Sequence, residues 1–345
     1  MQRDFFSLLT LLIVGASFWG CGYNMDYYAP YDPMPKATSI VNPYDGIDFE
    51  NTLRLKANLH THTKASDGNR TASEMIRAYW DRSYDVLAIT DHEKHYEKET
   101  DFVDISDRKI LVIRGAEITM THHFNSLFTD HGKIYEQTVE AAIKSEIAKA
   151  KSVIVLNHPG RHKWLYPVDW YVDLYQKFPK EHLVGQEVVN SQDDYPSDKQ
   201  LWDLILTKTA PLRTVYGYAN DDSHAFNEIG YSYNELLTSE FTVTEVRNAI
   251  THGRSFFYSN ATISKPIGKM PHVIDVIVDQ DDLTIEVVAT DYHKIEWFSC
   301  NRIVSNQNKI SINGNVDRSY HLGRYIRFVL TGSGGQLFSQ PFLIL

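Results

Sequence analysis

Residues 58–67 read N-L-H-T-H-T-K-A-S-D, and the rest of the chain is organised around them. His60 and His62 close a short extended run, 53–59. Side chains two apart on a strand point to the same side, so one cation can be held by both imidazoles. Asp67 follows in a Ser66-Asp67-Gly68 turn, near enough to aim a carboxylate at the same place. An isolated H-x-H is also what any strand end carrying two histidines looks like; Asp67 and the residues downstream decide between the two readings.

Outward from this stretch, short β-branched runs alternate with amphipathic helices. Thr71-x-x-Glu74 makes a capping box ahead of Met75, Ile76, Tyr79 and Trp80, which are spaced as one helix face. The apolar run 86–90 ends in Asp91-His92, 110–113 leads to Gly115-Ala116-Glu117, and 153–156 leads to Asn157-His158-Pro159-Gly160 after a helical stretch over 135–151. Farther on, 183–189 contains Glu187, 197–207 reads as a helix, and 212–218 runs into Asn220-Asp221-Asp222-Ser223-His224. Strands alternating with helices predict a parallel sheet, and near-continuous apolar strands predict burial on both faces. Polar residues recur where these strands end, the face that carries the active site in a β/α barrel. After residue 259 the pattern changes to period-two strands over 273–278, 283–288 and 325–330, which reads as a small all-β sandwich. The expected fold is thus α/β: a distorted, TIM-like barrel of about seven β/α units over 53–262, followed by a C-terminal β-sandwich domain over 263–345.

The composition suits such a plan. Hydrophobic residues make up 43% and aromatic residues 12% of 345, ample for a large core. With 34 Lys+Arg against 44 Asp+Glu the net charge is −10, which argues against a protein that coats nucleic acid. At the N-terminus, Arg3 precedes a run over 5–19 that is apolar apart from Ser and Thr and ends in Gly20-Cys21. It suits a signal-peptide core over residues 1–20, and a small residue before a lone cysteine resembles a bacterial lipoprotein processing site. The expectation is export with lipid attachment at Cys21, anchoring the protein to a membrane of the bacterial cell envelope; plain secretion and an uncleaved anchor are the alternatives. Residues 21–52, rich in Tyr, Pro, Asn and Asp, suit a tether or a segment lying over the folded body. Once Cys21 carries lipid, only Cys300 remains, so no intrachain disulfide can form.

His60, His62, Asp67, His92, Glu117, His123, His158, Asp222 and His224 are ligand types that Zn²⁺, Mn²⁺ and Fe²⁺ accept, and one ion uses only three or four of them. The set therefore predicts more than one divalent ion, with Glu117 and Asp222 as the carboxylates at the reaction centre. Two ions about 4 Å apart generate a hydroxide nucleophile and stabilise both oxygens of an in-line displacement. Arg161 has the planar fork to meet a substrate phosphate, with a solvated surface arginine as the alternative.

These motifs, His60-Thr61-His62, Thr90-Asp91-His92, Asn157-His158-Pro159 and Asp222-Ser223-His224, with Glu117 in Gly115-Ala116-Glu117-Ile118, resemble the polymerase-and-histidinol-phosphatase (PHP) superfamily of metal-dependent phosphoesterases over about 53–259. The resemblance implies a seven-stranded distorted barrel with a trinuclear site. It assigns His60, His62, Glu117 and Asp222 to one metal, Glu117, His123 and His158 to a second, and Asp67, His92 and His224 to a third. Within the superfamily, His123-Phe124-Asn125, Glu187-Val188-Val189-Asn190 and the stretch 249–255 are similar to the carbaryl-hydrolase-like branch. Ser83 stands where glycine is common in the family, and His122 beside His123 leaves the second-metal ligand open between them.

Other polar residues have plainer readings. His95, His131, His162, His182 and His252 fit no motif and read as surface or core histidines. Glu187 reads as a buried ion-pair partner, a support for a ligand or a substrate contact, and Asp91 as an orienter of a histidine. The functional expectation is a hydrolase of a small-molecule phosphomono- or phosphodiester. The same site could act on a carboxylic ester, carbamate or amide. A third possibility is a non-catalytic surface binding protein, against which the full set of ligand-type residues argues.

Overall fold

The computed structural model describes residues 36–130, 136–148, 152–260, 268–313 and 323–345. The signal segment over 1–20, Cys21, His131 and the first part of the 21–52 segment lie outside the described residues. In chain order the elements are β1 (Ile40–Val41), β2 (Leu53–Asn58), α1 (Ala72–Asp81), β3 (Val86–Ile89), β4 (Asp101–Ile105), β5 (Arg108–Thr119), β6 (His123–Leu127), α2 (Val139–Ala148), β7 (Val153–Leu156), α3 (Val168–Lys177), β8 (Leu183–Asn190), α4 (Asp198–Thr209), β9 (Tyr216–Asn220), β10 (Ser232–Thr238), α5 (Val243–His252) and β11 (Ser255–Ser259). The C-terminal strands are β12 (His272–Asp279), β13 (Thr284–Thr290), β14 (Lys294–Ser299), β15 (Arg302–Ser305), β16 (Lys309–Ser311), β17 (Tyr325–Gly332), β18 (Gly335–Phe338) and β19 (Phe342–Ile344).

Local signals start these elements where the residue types demand. Thr71 caps α1 through its Oγ1, which accepts from the Glu74 backbone N–H at 3.3 Å, while Glu74 Oε2 accepts from the Thr71 N–H at 2.8 Å. Gly253 ends α5 at φ +64, and a Cβ there would come within 2.3 Å of the Tyr216 ring. Ser83, before β3, adopts φ +62, a left-handed conformation that a glycine would take without a Cβ clash.

Seven strands follow one another in the order β2-β3-β5-β6-β7-β8-β9. Alternate residues enter different layers: Val86 and Ala88 join a core with Leu111, Ile113, Val153 and Val155, whereas Leu87 and Ile89 pack with α1. Helix α5 adds Val246, Ala249 and Ile250 to the first of these cores.

Two features depart from an all-parallel closed barrel. First, β6 runs antiparallel to both β5 and β7. Only residues 120–122 link β5 to β6, too few for the crossover a parallel pair needs. Second, the regular ladder does not close: β9 lies at one end of the sheet path, and β10 pairs with β2 on its other side. Side-chain amides span the opening. Asn234 Oδ1 accepts from Ala219 N–H at 3.1 Å and its Nδ2 donates to Ala219 O at 2.8 Å. Gln340 does the same for Gly217, at 2.9 and 2.8 Å. Each amide mimics a strand neighbour and satisfies a buried backbone pair. Gln340→Leu is expected to lower stability by about 1–3 kcal/mol, the penalty for unsatisfied buried groups; an unchanged urea midpoint would show that Gly217 finds other partners. Above this opening, an isolated parallel bridge joins Thr61 to Ser223.

The C-terminal strands continue the same sheet, because β18 pairs antiparallel with β11. A second sheet, β12-β13-β16, packs against it. Between them lies a core of Val273, Ile285, Trp297, Phe328 and Phe342 that also takes in Phe256 and Tyr258 from β11. Residues 36–52 cross this region: β1 pairs with β19, and buried Tyr44 packs on Phe256 at 4.7 Å between ring centroids. Among the described residues, no helix is long and apolar enough to cross a membrane.

Candidate metal centre

The parallel strands deliver their C-terminal ends to one mouth, and the reversed β6 delivers its first residue there. His123 therefore reaches the site from a strand start rather than a strand end. Glu117, two residues before the end of β5, stands at the middle. Its Oε2 lies 3.5 Å from His60 Nε2, 3.4 Å from His62 Nε2 and 2.9 Å from His92 Nδ1; its Oε1 lies 3.1 Å from His123 Nδ1 and 3.3 Å from His158 Nε2. Asp222 Oδ1 is 3.2 Å from His60 Nε2 and 3.0 Å from His62 Nε2. Asp67 makes a second focus, 3.4 Å from His62 Nδ1, 3.4 Å from His92 Nε2 and 3.3 Å from His224 Nε2. All nine side chains singled out in the sequence thus meet at one locus.

Supporting residues fix how these groups point. His60 Nδ1 donates to Glu187 Oε1 at 2.9 Å, and His224 Nδ1 donates to the Asp222 carbonyl at 2.9 Å, which turns the Nε2 lone pair of each ring towards the centre. Glu187 is fully buried and also accepts from Asn220 Nδ2, His158 N–H and Asn190 Nδ2, each at 2.8 or 2.9 Å. With both oxygens so engaged it holds the His60 ring and the His158 backbone in place. Glu187→Ala is expected to weaken metal retention about 10–100-fold, the usual effect of losing such a partner; unchanged affinity in a chelator competition would contradict this role.

Asp91 corrects an expectation. It accepts from Thr63 N–H and Oγ1, both at 2.7 Å, and from Ser66 Oγ at 2.6 Å, so it holds the loop that presents Asp67 rather than a histidine. Gly68 closes that loop, where a Cβ would sit 2.7 Å from the His62 and Thr63 backbone. Of the adjacent pair, His123 faces Glu117, while His122 spends Nδ1 on the His123 carbonyl at 2.8 Å and sets Nε2 3.0 Å from the Tyr171 hydroxyl.

The electrostatics are those of a cation cradle. Burial would lower the His60 pKa, but the Asp222, Glu117 and Glu187 carboxylates outweigh it and raise it well above the usual imidazole value. Burial would raise the Glu117 pKa, but His60, His123 and His158 hold it well below the carboxylate range, and His60 and His62 do the same for Asp222. Among the described residues His158 Nδ1 has no hydrogen-bond partner, and His62 Nδ1 and Asp222 Oδ1 meet only the ionisable groups given above. His60 Nε2 and His62 Nε2 face each other at 3.1 Å beside a carboxylate oxygen. Converging lone pairs of this kind fit divalent cations. Four overlapping groups each offer ligand atoms within 4.8 Å of one another: His60, His62 and Asp222; His60, Glu117 and His158; His62, Asp67, His92 and His224; and His123, His158 and His162.

His162 is the residue that motif reading missed. It was expected to be structural, yet the turn Pro159–His162 brings it beside His123 and His158. Burial and the charges of His158, His123 and Arg161 push its pKa down to about 3. A cavity of about 250 Å³ opens over the centre, and its wall includes Asp67, His92, Glu117, His123, His158, Asp222 and His224 together with Thr119 and Arg161.

Comparison with known proteins gives a family match for part of the chain and a shared fold. Residues 58–207 match the PHP domain family, a range that ends before Asp222 and His224. A two-domain protein from Bacteroides vulgatus containing a predicted PHP-like metal-dependent phosphoesterase shares the fold at 16% identity, with a TM-score of 0.50, over 87% of this chain and 96% of that one. PsfC from Pseudomonas syringae is 14% identical with a TM-score of 0.42, over 59% of this chain and 90% of its own. The lesion-specific endonuclease PfuEndoQ from Pyrococcus furiosus is 13% identical with a TM-score of 0.41, over 58% and 56%. No curated protein sequence matches the chain. The region is therefore a PHP fold of mixed α/β content followed by a sheet-rich C-terminal part, with candidate metal-ligand clusters at its mouth.

Proposed function

We propose that this protein is a metal-dependent hydrolase of a small-molecule phosphoester, with about two or three divalent cations held at the mouth of the seven strands. The observation that carries the reading is the cavity of about 250 Å³ in which the wall of imidazoles and carboxylates also contains the Arg161 guanidinium. Divalent cations in such a setting supply a water-derived nucleophile at neutral pH and stabilise charge on the reacting centre. Glu117 and Asp222 provide the negative charge that holds the cations, and the neutral imidazoles of His60, His62, His92, His123, His158 and His224 complete the donor set with Asp67. Arg161, exposed at the rim of the same cavity, binds non-bridging phosphate oxygens through its fork. Cys21 carries the lipid that keeps the exported protein at the cell envelope, so Cys21→Ala should move it from the membrane to the soluble fraction.

The test of the reaction class is hydrolysis of a matched panel: an aryl phosphomonoester, an aryl phosphodiester and an aryl carboxylic ester. Each is assayed with Mn²⁺, with Zn²⁺ and with chelator. Turnover of a phosphate ester that chelator abolishes supports the proposal. Cleavage of the carboxylic ester alone would replace it with carbonyl chemistry at the same site.

A further inference from the structure

We propose that His162 is a protein ligand of a cation that it shares with His123 and His158, so that this corner of the centre is a site of three imidazoles. The inference rests on the metal-centre reading above and adds to it a residue that none of the sequence motifs contains. Ring nitrogens of His123, His158 and His162 lie within 4.8 Å of one another, and the His162 ring centroid is 5.0 Å from His123 and 5.6 Å from His158. His162 is only 7% exposed, and among the described residues its Nε2 has no hydrogen-bond partner. His158 Nδ1 is likewise unpartnered. Folded proteins rarely leave such atoms uncompensated, and neighbouring imidazoles with lone pairs to share call for a cation between them.

The surroundings hold His162 in this position. His122 packs against it at 4.5 Å between ring centroids, but its Nδ1 is committed to the His123 carbonyl and its Nε2 sits by Tyr171. The turn itself is tightly defined. His158 takes φ +28, Pro159 follows, and Gly160 lies so close to Asp198 that a Cβ would approach its Oδ1 to 2.4 Å. A left-handed non-glycine residue at this point is strain of the kind that accompanies functional geometry. Three imidazole nitrogens make a borderline donor set, which suits Zn²⁺ or Co²⁺ over the oxygen-seeking Mg²⁺.

Cobalt binding to the full chain tests this, with the metal itself as the probe. The purified protein is stripped, reloaded with Co²⁺ and followed by its visible spectrum and by metal content, alongside His162→Ala and His162→Cys. His162→Ala should lose one class of cobalt site, weakened by more than the roughly 10–100-fold typical of losing a supporting partner. His162→Cys should retain that site and add a thiolate-to-cobalt charge-transfer band, which only direct coordination produces. Wild-type cobalt uptake by His162→Cys without such a band, together with unchanged affinity in His162→Ala, would overturn the inference while leaving the metal centre intact. A wild-type chain that takes up no cobalt, zinc or manganese would overturn both.

Discussion

Replacing Glu117 with alanine is expected to release more than one equivalent of metal per chain and to reduce phosphoester hydrolysis on the order of 10³-fold, the scale on which loss of a preorganised charge is felt. The reason is its position. Glu117 is 1% exposed and its two oxygens lie between 2.9 and 3.5 Å from nitrogens of His60, His62, His92, His123 and His158. Asn157 Nδ2 donates to Oε1 at 2.9 Å and so fixes the carboxylate plane. One side chain thus borders several of the ligand groups, and deleting it removes charge from all of them. Glu117→Gln, which keeps the shape and loses the charge, should fall between wild type and alanine. Retention of full metal content by Glu117→Ala would show that the carboxylate bridges nothing. Acid should act in the same direction, because imidazoles bind metal only when neutral and the carboxylates that raise the His60 pKa make protons effective competitors. Metal affinity is therefore expected to fall as pH falls.

The second large effect concerns stability. Asp203→Ala is expected to cost about 3–5 kcal/mol, because it strands a buried guanidinium. Arg327 Nε and Nη2 donate to Asp203 Oδ1 and Oδ2 at 2.8 and 2.5 Å, and the Tyr325 hydroxyl donates to Oδ1 at 3.0 Å. Both charged side chains are 3% exposed. The guanidinium also lies over the rings of Trp202 and Phe298, at 4.9 and 4.6 Å from their centroids. Asp203 lies on α4 and Arg327 on β17, so the pair ties a helix of the β/α region to the C-terminal sheet. Removing both charges together is a different experiment. Asp203→Leu combined with Arg327→Met should recover most of the loss, since apolar groups of similar volume can replace a buried pair. Urea unfolding measures this as a shift in midpoint at constant slope. A single-variant loss below about 1 kcal/mol would mean that water reaches the stranded arginine and that the pair behaves as a surface one.

Much of the site was legible in the sequence because its chemistry is local. His60 and His62 follow β2 on either side of the Thr61 bridge, Asp67 returns in a tight turn, and Asp91-His92 and Asn157-His158 follow apolar strands. Period and capping identified α1 and the buried strands for the same reason. What was not legible depends on pairing at a distance. The reversal of β6 follows from the short 120–122 link, yet a strand run by itself carries no direction. Asn234 and Gln340 look like ordinary polar residues until β9 is seen to need partners along its open edge. His162 carries no motif, and only the turn after His158 brings it to the centre. Asp91 sits beside a ligand in sequence, but its side chain faces the loop over 63–66.

The most direct test of a metal-dependent hydrolase at this centre is elemental analysis of the purified full-length chain, before and after dialysis against chelator, with aryl phosphate hydrolysis measured on each sample. Retention of about two or three divalent cations, with activity lost on their removal and restored by Mn²⁺ or Zn²⁺, is the expected result. A chain that holds no cation, or that hydrolyses the phosphate equally well in chelator, would contradict it.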